Sequence, residues 1–313
     1  MSDPLDLLAM GRISVDIYPE QRGPIAGVRT FAKSIGGTAT NVAVACARYG
    51  RNVALVTKVG DDAFGGYVRG ALEGFGVDTR HVGASPTLPT PVVFCELDPP
   101  EDPRLIFYRY PKAPDMDIAP DELDLAAVRD ARIYWVTGTG LSDEPHRSAL
   151  LAGLAARGRR THTVLDLDWR PMFWADRGSA AGAYATALAG VTIAIGNRDE
   201  VEVAVGTRDP REAADRLLAR GVELAIVKLG GDGVLVATSE GVETIAAKRV
   251  EVVCGLGAGD AFGGALCHRL LAGDGPAAAV RFANAAGAIV AGRLLCADAM
   301  PTEDEVLDLL ETP

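Results

Sequence analysis

An α/β fold, with a mostly parallel sheet covered by helices on both faces, is predicted for this chain of 313 residues. Two observations predict it. Short, nearly continuous apolar runs rich in β-branched residues recur along the sequence, and Ala-rich helical stretches alternate with them. A third observation bounds the size. At 48% hydrophobic and 23% charged residues the composition is ordinarily globular, and the length suits one domain over 1–313 with a small appendage.

Strands are expected at 5–10, 53–59, 132–138, 163–168, 191–196 and 223–230. Helices are expected at 38–49, 63–75, 145–157, 180–189, 210–220, 258–271 and 275–292. Gly50, Gly158 and Gly221 stand just past periodic segments, where a left-handed residue closes a helix. Thr302 and Glu305 form a capping box before a last apolar run. Two regions, about 12–35 and 88–112, break the alternation with strand patterns that lack intervening helices. In the second, PVVFCEL and RLIFYRY flank the Pro/Asp-rich turn DPPEDP and read as a hairpin. The two regions predict a small antiparallel sheet standing off the main one. It serves as a lid over a ligand, a homodimer surface, or an ordinary sheet edge.

Lys and Arg number 31 against 42 Asp and Glu, a net charge of −11. Such a chain repels nucleic acid and anionic membrane, so neither is an expected partner. No apolar stretch is long enough to span a bilayer, and the start, MSDPLDLLAM, has no basic region of a signal peptide; a cytoplasmic protein is expected. Cys46, Cys95, Cys254, Cys267 and Cys296 are scattered without a C-x-x-C and read as buried free thiols. The dispersed His81, His146, His162 and His268 offer no zinc spacing.

The chemistry gathers at Gly255-Leu256-Gly257-Ala258-Gly259-Asp260. This cluster follows a β-run at 248–253 (KRVEVV) and opens an apolar helix. Glycines let successive backbone N–H groups converge on one point at a helix N-terminus, which suits a phosphate. Asp260 is then either an ordinary helix-start aspartate or a general base beside the anion. Neither a G-x-x-x-x-G-K-[ST] nor a G-x-G-x-x-G motif occurs, which argues against P-loop and dinucleotide-binding domains.

Gly257-Ala258-Gly259-Asp260-Ala261-Phe262 resembles the C-terminal signature of the ribokinase-like (PfkB-type) carbohydrate kinases. Gly36-Gly37-Thr38-Ala39-Thr40-Asn41-Val42-Ala43 resembles their N-terminal signature. Segments 58–65, 197–200, 228–233 and 282–288 are similar to further family elements in the same order, so the resemblance spans the chain. It implies a ribokinase-like three-layer sandwich with a small antiparallel β lid. It also implies Mg²⁺-dependent transfer of the ATP γ-phosphoryl group to a primary hydroxyl of a sugar or sugar acid. A finer resemblance, in 10–19, 107–114, 166–174 and 255–260, is to the branch that phosphorylates 5-dehydro-2-deoxygluconate in inositol catabolism. Kinases of 2-dehydro-3-deoxygluconate, fructose or ribose, or a binding module that has lost catalysis, are the alternatives.

The resemblance implies roles residue by residue. Asp260 is the base, and the backbone of Gly257, Ala258 and Gly259 forms the anion hole with it. Asn197 and Glu200 match an N-x-x-E element that organises Mg²⁺ through water, although a plain helix start has the same pattern. Lys228, Gly230, Gly231 and Gly233 fit close approach to the nucleotide, the glycines equally a tight turn. Asn284 lies beside the nucleotide or packs within its helix. Asp16, Gly36, Gly37 and Asn41 face the acceptor. Arg170 matches an acceptor-facing arginine, and Arg12, Lys58, Arg109 and Lys112 are further cations for a carboxylate. Trp169, Phe173 and Trp174 wall the sugar pocket or belong to the core. The family pattern D-P-N-x-R runs here Asp166-Leu167-Asp168-Trp169-Arg170, with Asp168 in place of Asn, which disfavours a plain neutral sugar. Cys254 stands where many members have Asp, which weakens the case for a bound monovalent cation.

Overall fold

The computed structural model describes residues 4–99 and 103–312; the tip of the lid turn at 100–102 lies outside the described residues. The strands are β1 (Leu7–Met10), β2 (Ser14–Pro19), β3 (Phe31–Gly36), β4 (Val53–Gly60), β5 (Val77–Asp78), β6 (Val82–Ser85) and β7 (Val92–Glu96). They continue with β8 (Arg104–Tyr108), β9 (Ile133–Thr137), β10 (Thr163–Asp166), β11 (Ile193–Asn197), β12 (Leu224–Lys228), β13 (Val234–Thr238) and β14 (Gly241–Ile245). The helices are α1 (Thr38–Arg48), α2 (Ala63–Gly74), α3 (Leu125–Asp130), α4 (His146–Arg157) and α5 (Arg177–Leu188). After them come α6 (Arg198–Val205), α7 (Pro210–Ala219), α8 (Ala258–Ala272), α9 (Pro276–Ala291) and α10 (Glu303–Glu311).

A ten-stranded sheet runs β14-β13-β12-β11-β10-β9-β1-β4-β5, with β6 beside β4. It is parallel apart from β12–β13 and β13–β14. Alternation along each strand sorts the side chains into two cores. Leu7, Ala9, Ile133, Trp135, Ile193 and Ile195 face α1, α8 and α9. Leu8, Met10, Tyr134, Val136 and Ala194 face α4, α5, α6 and α7. Three layers result, as expected. Among the described residues no helix is long and apolar enough to cross a membrane.

The smaller sheet runs β3-β2-β7-β8. Its pairs are antiparallel except β2–β7, which is parallel because a long excursion through the main layer, not a hairpin, joins those strands. Gly50, Gly158 and Gly221 all take positive φ, and the Thr302–Glu305 capping box forms. One expectation fails. Residues 248–253 (KRVEVV) form no strand; the sheet edge is instead the β13–β14 hairpin, and 246–253 returns as irregular chain.

Helices α1 and α8 meet through small residues. A Cβ on Gly264 would stand 2.3 Å from the Cβ of Ala45, and one on Gly263 2.7 Å from the Trp135 ring. Small residues at this crossing therefore set the spacing of two helix N-termini, and both point to the C-terminal ends of the parallel strands. Chain direction out of the sheet reverses at β1, between β4 and β9, where a ligand crevice is expected.

Candidate active site

A cavity of about 510 Å³ opens at those strand ends. Arg12 follows β1, Asp166 ends β10, Asp168 and Arg170 follow it, Asn197 ends β11, and Lys228 ends β12. The N-termini of α1, α6 and α8 converge on the same space. Asp16 and Tyr18 of β2, Val93 of β7 and Phe107 of β8 roof it, so the lid does cover the crevice.

The α8 end has the geometry of an anion cradle. Gly257 caps the helix at φ 80, and a Cβ there would sit 2.8 Å from Cys296 Sγ. Only glycine meets both conditions. A Cβ on Gly259 would lie 3.3 Å from Lys228 Nζ, so the ammonium comes close to the backbone at the start of α8. Asp260 stands in the first turn and accepts a hydrogen bond from Asn41 Nδ2 at 2.7 Å. Burial pushes its carboxyl above the ordinary range and Asp168 adds to this, against Asn41, Lys228 and Arg170. Burial opposes the charge on Lys228, but Asp166, Glu200, Asp260 and Asp168 outweigh it and hold the ammonium protonated.

Asn197 caps α6, its side chain accepting from Asp199 N at 2.9 Å and Glu200 N at 3.0 Å, while Glu200 Oε2 accepts from Asn197 N at 2.7 Å. The buried Glu200 carboxylate is thereby fixed at the cavity wall. Asp166 is the functional candidate that motif reasoning passed over. It is 2% exposed, its Oδ1 has no hydrogen-bond partner, and Lys228 Nζ is 3.9 Å away. Desolvation raises its pKa, Lys228 opposes this, and Glu200, Asp168 and Asp260 reinforce it. Its signal in the sequence is the aspartate closing an apolar strand. No group of three His, Cys, Asp or Glu among the described residues holds a metal directly. The orphaned Asp166 oxygen and the fixed Glu200 carboxylate nevertheless fit a hydrated Mg²⁺ carried on phosphate oxygens, since Mg²⁺ keeps several waters.

On the opposite side Ser14 Oγ donates to Asp16 Oδ1 at 2.6 Å and Tyr18 Oη to Asp16 Oδ2 at 3.4 Å. Burial holds the Asp16 carboxyl at about 6, against the pull of Ser14, Arg12 and Tyr18. Gly36 makes room for it, since a Cβ there would stand 1.9 Å from Asp16 Oδ2. Arg12 Nη2 donates to Asp168 Oδ2 at 2.9 Å and to Thr38 Oγ1 at 3.0 Å, and Nε to Thr139 Oγ1 at 3.0 Å. Thr139 in turn donates to Asp168 at 2.8 Å, and Arg170 Nη2 pairs with Asp168 Oδ1 at 3.2 Å. Burial opposes the Asp168 charge, but the two guanidiniums hold its carboxyl below the ordinary range. They also explain how a non-glycine residue keeps φ 34.

Several expected site residues are not brought to this cavity. Lys58 pairs with Glu122 at 2.6 Å and donates to Asp117 O; it shares the β4 face of Ala54 and Val56, away from the crevice. Arg109 is buried against Asp115, whose other oxygen accepts from Ile13 N at 2.8 Å, so it anchors the turn after β1. Lys112 pairs with Asp143 at the surface. Gly233, at φ 102, is pressed against Ile245 O, the tight-turn reading, and of the neighbouring glycines Gly230 alone lines the cavity. Asn284 donates to Ala246 O at 2.9 Å, tying α9 to the chain after β14. Trp169 and Trp174 pack on the core, and Phe173 meets Phe107 edge to face at the outer rim.

Comparison with known proteins accords with this arrangement. The family model described as pfkB family carbohydrate kinase matches residues 5–303. The chain is similar to a 5-dehydro-2-deoxygluconokinase of Photobacterium profundum, 37% identical over 99% of this chain and 96% of that one. Among solved structures it is similar to a Vibrio cholerae fructokinase with fructose, ADP and potassium bound (TM-score 0.88, 26% identity, 99% of this chain and 100% of that one). An aminoimidazole riboside kinase of Salmonella enterica, complexed with its riboside and an ATP analogue, superposes at TM-score 0.82 with 28% identity, covering 98% of this chain and 99% of that one. With the two glycine-led helix starts, the aspartate between them and the family match over nearly the whole length, the chain belongs to the pfkB family of ATP-dependent carbohydrate kinases.

Proposed function

We propose that the chain phosphorylates the primary hydroxyl of a sugar acid, and that this acid is 5-dehydro-2-deoxygluconate, giving the 6-phosphate in inositol catabolism. The observation that carries the acid is the pair of guanidiniums, Arg12 and Arg170, gathered on the single carboxylate of Asp168 at the wall of the cavity. The name of the Photobacterium relative supports the particular acid.

In this reading Asp260 accepts the proton of the attacking hydroxyl. The new bond forms between that oxygen and the γ-phosphorus, the γ-phosphorus to β,γ-bridging oxygen bond breaks, and ADP leaves with the electron pair. Developing charge on the transferring group meets the N–H groups of Gly257, Ala258, Gly259 and Asp260 at the positive end of α8, with Lys228 beside them. Mg²⁺, when bound, supplies charge neutralisation on the phosphates, and Glu200, Asn197 and Asp166 hold its water shell. Gly37 and Asn41 shape the acceptor side. Cys254 is fully buried among Tyr18, Cys95 and Cys296 and brings no carboxylate, so activation by a monovalent cation is weak. The exposed aromatic residues Phe31, Tyr108 and Tyr110 support a homodimer built through the lid, and five free thiols suit the reducing cytoplasm.

The test is ADP release from Mg·ATP with 5-dehydro-2-deoxygluconate, 2-dehydro-3-deoxygluconate, fructose and ribose. The first is expected to have the highest kcat/KM. A preference for fructose or ribose would discard the sugar-acid reading.

A further inference from the structure

The two guanidiniums that share Asp168 face different ends of the cavity. Arg170 has Asp168, Glu200, Asp260 and Asp166 as its charged neighbours, the groups of the phosphoryl side. Arg12 instead adjoins Asp16 under the lid. Helix α1 measures the separation. Thr38 accepts from Arg12 at 3.0 Å, and Asn41, three residues on, donates to Asp260 at 2.7 Å. Residues so spaced lie on one helix face, roughly 5–6 Å apart. A six-carbon acid is long enough to span a separation of that order from its terminal hydroxyl to its carboxylate. With the hydroxyl at Asp260, the carboxylate reaches the Arg12 end.

Arg12 is also prepared for it. Nε and Nη2 are spent on Thr139, Thr38 and Asp168, while Nη1 makes no such bond among the described residues, and the side chain lines the cavity. The Phe173 ring packs on the guanidinium, with its centroid 5.6 Å from Cζ, and Phe107 of the lid meets Phe173 edge to face at 5.1 Å. A planar fork clamped on three sides, with one nitrogen left over, is pre-organised for a carboxylate.

We propose that Arg12, held by Asp168, Thr38 and Thr139, is the side chain that selects an acidic over a neutral acceptor, whereas Arg170 serves the transferring phosphoryl group. This rests on the sugar-acid reading above. The test compares kcat/KM for 5-dehydro-2-deoxygluconate and for fructose in the wild type, Arg12→Gln and Arg170→Gln, with MgADP-induced thermal stabilisation as the check on folding. Arg12→Gln is expected to lower kcat/KM for the acid about 10- to 100-fold, mainly through KM, and to lower that for fructose far less. Arg170→Gln is expected to lower both acceptors together, through kcat. If Arg12→Gln does not fold, Arg12→Lys, which keeps the charge and loses the fork, is expected to raise the KM of the acid selectively. Equal losses on both acceptors in the Arg12 variants, or the selective loss in Arg170→Gln, would overturn the assignment while leaving an acid kinase. A wild type without preference for the acid would overturn the underlying reading as well.

Discussion

Asp16 shows how function is bought at the residue scale. Its carboxyl is held at about 6, instead of 3.8, because burial disfavours its charge more than Ser14, Arg12 and Tyr18 favour it. A folded-state pKa above the unfolded one favours the protonated form. Stability from that form is complete below about 3.8 and is lost as pH rises through about 6. At pH 8 the ionised Asp16 therefore costs the fold about 3 kcal/mol. Asp16→Asn is expected to raise the melting temperature at pH 8, to gain little at pH 4, and to weaken acceptor binding. Thermal melts at the two pH values check this, and a variant destabilised at pH 8 would refute it.

At the scale of elements, the site is three helix N-termini aimed at one cavity and held there by close packing. Gly257 tests the arrangement best. Its φ of 80 and the 2.8 Å approach of Cys296 Sγ leave no place for a methyl group. Gly257→Ala is expected to move the N–H groups of α8 and lower kcat by ~10²-fold or more, with a smaller change in overall stability. Steady-state kinetics decide it; a kcat within a few-fold of wild type would remove this backbone from the anion hole. The glycine cluster was legible in the sequence because a backbone cradle needs residues without Cβ atoms. Its neighbour Asp166 was less so, since its importance comes from an unpartnered buried oxygen that depends on side chains of β11, β12 and α6.

For the whole molecule, the alternating strands and Ala-rich helices announced the three layers, and the two interruptions announced the lid. Less legible was where long cations reach. Lys58 and Arg109 fall in plausible segments, but Glu122, far along the chain, claims the first and Asp115, six residues on, the second. The parity of β4 held a clue, because Lys58 alternates with Ala54 and Val56 toward the second core. The antiparallel β12–β13 turn was only half legible, because Gly230, Gly231 and Gly233 suited nucleotide contact and a tight turn equally, and Gly233 makes that turn. The lid also leaves Phe31, Tyr108 and Tyr110 exposed at 37%, 62% and 84%. A dimer mass in light scattering at micromolar concentration is expected, reduced to a monomer by Tyr108→Glu. A monomeric wild type would refute lid pairing.

The central claim is that Asp260, seated between Asn41 and the glycine cradle, is the base of a sugar-acid kinase. The most direct measurement is ADP release from Mg·ATP and 5-dehydro-2-deoxygluconate by wild type and Asp260→Asn, with nucleotide binding measured alongside. The account predicts that the variant binds MgATP about as well as wild type and loses ~10²–10⁴ in kcat. Comparable kcat in the two proteins would contradict it.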